Sequence, residues 1–169
     1  MKQIIKKALI SVSDKTNLSK ILKTLNKYKV EIISSGGTFK SIKKLGYPCT
    51  EVSVYTGFKE MLDGRVKNLH PKIHAGILYD RSNKKHSKEM SRQKFSSIDL
   101  IIVNFYPFQK IVTNSKSNKD IIENIDIGGP TMVRSAAKNF KNVLIITNKN
   151  DYPDLINEIE KNKGKTSLS

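Results

Sequence analysis

The chain has 169 residues and a mass of 19.1 kDa, room for one domain but not for two full ones. Hydrophobic residues at 37% support a packed core, no run nears the roughly eighteen apolar residues of a membrane helix, and a single cysteine, Cys49, excludes an internal disulfide or a cysteine-rich metal site. A formal charge of +16 suggests anionic partners, but 27 lysines against four arginines, with abundant isoleucine and asparagine, is also the surface an AT-rich genome writes on any protein, and few arginines and no tryptophan argue against nucleic acid, so charge alone does not decide function.

In chain order, Met1–Lys7 carries positive charge without a signal-peptide apolar region, so a cytoplasmic protein is expected. Lys7–Val12 is an apolar run of strand length, followed by hydroxyl-rich Ser13–Thr16 as N-cap chemistry. Leu18, Ile21, Leu22, Leu25 and Tyr28 then fall at helical spacing. Val30–Ser34 reads as a second strand, and Ser35-Gly36-Gly37-Thr38 leads into a helix that Gly46 stops. Pro48–Val54 is expected to be an edge strand because it opens on proline. Helical turns are expected around Phe58–Leu62, then a glycine-punctuated loop from Asp63 to Pro71. Tyr79–Ser97 reads as a solvated helix or excursion, and Ile98–Val103, nearly continuous in apolar residues, as a strand covered on both faces. A polar loop over 109–119, a short helix over 120–125, a helix opening at Gly128-Gly129-Pro130, a fifth strand over 142–147 and a last helix through Leu155, Ile156 and Ile159 follow. The polar segment 161–169 is expected to fray, leaving 1–160 as the domain.

This alternation predicts an α/β domain with a mostly parallel five-stranded sheet and helices on both faces. Such sheets bind ligands at the carboxyl ends of their strands, and the chemistry-bearing segments do follow strands. Ser34–Thr38 can offer backbone amides and hydroxyls to an anion, or be a plain tight turn; it is neither a Walker A loop nor a dinucleotide fingerprint. Ser11–Thr16 is a second corner of the same kind. The loop Asp63–Pro71 brings Arg65 and Lys67 together, and His70 and His74, four apart, are expected to orient a loop rather than bind metal. Asn104–Phe108 follows the strongest strand, with Tyr106 able to donate a hydrogen bond to an oxyanion. Asp126 precedes two glycines whose amides lie at the positive end of a helix, and Arg134 and Lys138 share one face further along it.

SVSDKT, SSGGT, TGF-x-EML, GRVK, LHPKIHAGIL, N-x-YPF and IDIGGPTMVRSAAKN stand in this order. Together they resemble the inosine monophosphate cyclohydrolase domain of the bifunctional purine biosynthesis protein. The resemblance implies a methylglyoxal-synthase-like fold and a purine ribonucleotide substrate. The implied reaction is dehydrating ring closure of 5-formamidoimidazole-4-carboxamide ribonucleotide to inosine monophosphate, without cofactor or metal. It further implies that Ser13, Asp14, Lys15, Ser35, Gly36, Gly37, Thr38, Arg65, Val66 and Asn68 hold phosphate and ribose. Val103, Asn104 and Ile127 would contact the base end, and Lys138 would move the proton, with Lys67, Tyr106 and Asp126 around the reacting groups. Asn68 departs from the threonine expected after GRVK. Relatives join this domain to a transformylase, whose activity is expected to be absent from this chain, and form homodimers; no membrane contact is implied.

Overall fold

A computed structural model of the protein describes residues 2–105, 108–114 and 117–167. Its centre is a five-stranded, wholly parallel sheet of β2 (Lys7–Val12), β3 (Glu31–Ser34), β4 (Thr50–Glu51), β5 (Leu100–Asn104) and β6 (Leu144–Ile146) in the order β4-β3-β2-β5-β6. The two-residue period of the strands explains the layers. Ala8, Ile10 and Val12 of β2, with Leu100 and Ile102 of β5, pack against α1 (Leu18–Lys27) and α9 (Tyr152–Lys161) on one face. Leu9, Ile101 and Val103 point the other way, onto α4 (Pro71–Leu78) and α8 (Gly128–Lys138). Each buried Leu or Ile in these layers contributes about 1.5–3 kcal/mol.

The chain runs from β2 outward to β3 and β4, then returns to the far side of β2 for β5 and β6. The carboxyl ends of β2 and β5 therefore flank the point where the winding reverses, where such sheets leave a crevice. α2 (Gly36–Lys44) starts at this edge, and Thr38 locks it to β2: its hydroxyl accepts from Val12 N (3.0 Å) and donates to Val12 O (2.9 Å).

Several expectations need correction. Only Thr50 and Glu51 of 48–54 form a strand, because their partner β3 ends at Ser34; the chain turns at once into α3 (Val52–Thr56), leaving Val54 exposed. Residues 58–62 are not helical. Met61 and Val66 pair in an isolated antiparallel bridge around Leu62, Asp63 and Gly64, all at positive φ, and Phe58, Met61 and Leu62 have no core to cover. The expected loop over 109–119 holds α6 (Phe108–Asn114), followed by α7 (Asn118–Glu123); neither buries a described side chain. α5 (Lys84–Arg92) is the solvated helix, with Met90 turned inward. Residues 161–167 of the polar tail do not fray. Gly164 turns the chain, and β7 (Lys165–Ser167) pairs antiparallel with β1 (Lys2–Ile4), burying Thr166. That pairing joins the two ends of the described chain, and no local pattern announces it. No helix among the described residues is long and apolar enough to cross a membrane.

Candidate functional site

At the carboxyl edge of the sheet lies an open cleft of about 560 Å³. Its floor is Ser11 and Val12 of β2 and Asn104 of β5; its walls are the start of α2, the loop 63–69 and the segment 122–129. Ser13–Thr16 does not cap α1, whose N-cap is Asn17 in the left-handed region; Asp14 Oδ1 accepts from Thr16 N (2.9 Å) in a local turn. Asn104 fixes this loop, its Oδ1 accepting from Ser13 N (2.7 Å) and Asp14 N (2.9 Å) and its Nδ2 donating to Asp14 O (2.8 Å). Asp14 turns away to Lys149 (2.6 Å), whose ammonium holds its carboxyl well below the usual carboxylate range. Lys15 is left facing the cleft.

The Ser35 side chain does not cap α2, so the first-turn amides of Gly36, Gly37 and Thr38 are the helix's unspent donors at its positive end. Gly36 sits at φ +53°, and a Cβ there would lie 3.3 Å from Lys67 Nζ. Glycine thus meets both a backbone demand and the close approach of the ammonium. Asn68 is buried beneath this corner, its Oδ1 3.4 Å from the Ser35 hydroxyl.

On the opposite wall, Asp126 Oδ1 accepts from Gly129 N at 2.9 Å. A Cβ on Gly129 would stand 2.4 Å from Asp126 Oδ2, so glycine here gives the carboxylate its place at the head of α8. His70 caps α4, Nδ1 accepting from Lys72 N (3.1 Å), while His74, half-buried, pairs with Ser135 Oγ of α8 (3.2 Å) and lies against the Asn68 backbone. Burial lowers the His74 pKa. Beneath Asn104 the Tyr152 phenol is pushed up to about 12, first by burial and then by the Asp14 charge.

Of the residues singled out in the sequence, the cleft gathers Lys15, Ser35, Gly36, Gly37, Thr38, Arg65, Lys67, Asn68, Asn104, Asp126 and Ile127. Ser13 and Asp14 stand one step behind, tied to Asn104, and Val66 is taken up by its bridge to Met61. Val103 is core on the face away from α1. Tyr106 lies outside the described residues. Lys138 is not brought to the cleft: it is exposed at the far end of α8, about 14 Å along the helix from Gly129. Asn139 beside it ties the end of α8 to the end of α4 by donating to Ile77 O (2.7 Å) and Tyr79 O (2.9 Å). The sequence reading overlooked Glu123, which reaches the cleft from α7 and pairs with Arg65. In sequence it looks like any exposed helix acid.

A family model described as MGS-like domain matches residues 17–131. The chain belongs to the MGS-like domain family. Within it, the chain is 52% identical over 158 residues to the bifunctional purine biosynthesis protein PurH of Clostridium acetobutylicum, covering 94% of this chain and 32% of that protein. It is 53% identical over 164 residues to PurH of Neisseria meningitidis serogroup C, covering 96% and 31%. The chain thus spans about a third of the length of the curated relatives it matches. A crystal structure of ForH superposes with a TM-score of 0.84 at 28% identity, over 94% of this chain and 80% of that one. The wholly parallel sheet with helices on both faces is the architecture this MGS-like domain shares with it.

Proposed function

We propose that the cleft binds 5-formamidoimidazole-4-carboxamide ribonucleotide and closes it to inosine monophosphate with loss of water. The observation that carries this reading is the lining of the cleft: the cations Lys15, Arg65 and Lys67 and the amides of Gly36–Thr38 border it together with Asp126, which is held by Gly129 N. In this reading Lys15, Arg65 and the amides of Gly36–Thr38 take the phosphate, Asn68 and Asn104 face the ribose and base, and Lys67, Asp126 and Ile127 meet the reacting carboxamide and formyl groups.

The chemistry joins two arms of one molecule. The carboxamide nitrogen attacks the formyl carbon, forming a C–N bond while the formyl oxygen takes the electron pair and, in net, the proton this nitrogen gives up; the formamido nitrogen then loses its own proton and forms the C=N bond as the C–O bond breaks, so that the oxygen, now carrying two protons, departs as water. Holding the two arms at reacting distance replaces a search through rotamers, the larger part of what a site of this kind supplies. Asp126 accepts a carboxamide N–H and aligns the attack. In this reading Lys67, whose ammonium lies against Gly36 and Gly64, stabilises the oxygen as it gains charge.

One observation favours a second reading, binding without turnover: Lys138, the group the resemblance assigns to proton transfer, is remote from the cleft of its own chain. Ultraviolet absorbance after mixing the formamido ribonucleotide with the protein separates the two, since ring closure extends the chromophore. Turnover that is lost in Lys67→Ala supports the proposal. Saturable binding of inosine monophosphate with no turnover supports the second reading, and neither binding nor turnover overturns both.

A further inference from the structure

Arg65 is paired with an anion of its own chain. Its guanidinium forks onto Glu123 at the end of α7, Nε donating to Oε2 (3.2 Å) and Nη2 to Oε1, with both side chains at the cleft wall. Each raises the other's preference for its charged form, Arg65 upward and Glu123 downward. Asp63 is the other charge acting on Arg65, and Lys119 the other acting on Glu123. A carboxylate and a phosphate monoester offer this fork the same two-oxygen edge, so they compete for it. The arm that carries Glu123 is weakly held: α6 and α7 bury none of their described side chains.

We propose that Glu123 is an internal rival for the ligand's phosphate, occupying Arg65 while the cleft is empty and giving way when a phosphorylated ligand enters. The inference rests on the phosphate-holding role of Arg65 proposed above. Glu123 thereby weakens binding of every phosphorylated ligand, product included, and so eases release. It also makes the hold of α7 on the loop 63–69 depend on whether the cleft is occupied. A nucleoside without phosphate does not displace it.

The test is calorimetric titration of inosine monophosphate and of inosine into wild type, Glu123→Gln, Arg65→Ala and the double variant. Glu123 is exposed at a helix end, and thermal melts check that its variants fold; Glu123→Ala serves as a second probe. Glu123→Gln is expected to tighten inosine monophosphate about two- to five-fold, the span of an exposed ion pair. It should leave inosine unchanged and lose its effect in the Arg65→Ala background. Equal or weaker binding of inosine monophosphate by Glu123→Gln, where Arg65→Ala does weaken it, overturns the rivalry and leaves the site reading intact. If Arg65→Ala binds as wild type does, the phosphate role of Arg65 falls, and the rivalry with it.

Discussion

Replacing Gly129 by alanine separates the site from the fold. A Cβ at this position would lie 2.4 Å from Asp126 Oδ2 and 3.1 Å from Asp126 Cγ, with Phe105 Cε1 at 3.0 Å. An ordinary contact starts near 3.4 Å, so the carboxylate must move by about 1 Å, and its bond to Gly129 N (2.9 Å) is broken or bent. Losing a hydrogen bond to a charged acceptor costs about 1.5–3 kcal/mol. Alanine in place of glycine in a helix returns up to about 1 kcal/mol, so the net destabilisation is about 0.5–3 kcal/mol, within reach of a cooperative native state. The effect on chemistry is larger, because a displacement of about 1 Å of a positioning group can lower a rate on the order of a hundredfold. Urea denaturation and the absorbance assay on one preparation read both quantities. A variant with wild-type turnover would show that the position of Asp126 does not matter and refute the reasoning. A variant that fails to fold would refute the estimate of its stability.

Three other expectations concern the frame around the cleft. Thr38→Val removes the hydroxyl that both donates to and accepts from buried Val12, leaving two backbone groups unpaired; a loss of about 2–4 kcal/mol is expected in urea denaturation, with Thr38→Ser close to wild type. Gly76→Ala would push a Cβ to 2.9 Å from the Ser96 carbonyl oxygen and 3.2 Å from Ile98 Cγ1, so about 1–3 kcal/mol of overpacking is expected, read as a lowered melting temperature. Because burial lowers the His74 pKa, the folded protein takes up fewer protons there than the unfolded chain. The stability this group permits is present above its unfolded value of 6.5 and is lost as pH falls through it. Wild type should therefore lose more stability than His74→Gln between about pH 7.5 and 5.5, and parallel curves would contradict the burial of a neutral imidazole.

The regular half of the molecule was legible because periodicity reports burial. The continuous apolar run 98–103 is covered on both faces as β5, and the spacing from Leu18 to Leu25 is the inward face of α1. Glycines and hydroxyls after strands also pointed to one edge of the sheet, and Ser35–Thr38 and Asp126–Gly129 do line one cleft there. Failures came where long-range pairing or its lack overrode the local pattern. Val52 and Val54 alternate like a strand but have no partner beyond Ser34, and polar Lys165–Ser167 is a strand only because the chain's other end lies beside it. Lys138 and Asp126 share a motif in sequence, yet the length of α8 separates them. Glu123 went unnoticed for the opposite reason: it meets Arg65, 58 residues away, only after the chain has folded.

The most direct measurement is an amide chemical-shift map of isotopically labelled protein titrated with inosine monophosphate. The account predicts saturable shifts concentrated at Lys15, Gly36, Gly37, Thr38, Lys67, Asn68 and Gly129, the amides that border the cleft. Saturable shifts clustered elsewhere, on the lysine-rich surface of α5 for instance, or no shifts at all, would contradict the assignment of this cleft as the nucleotide site.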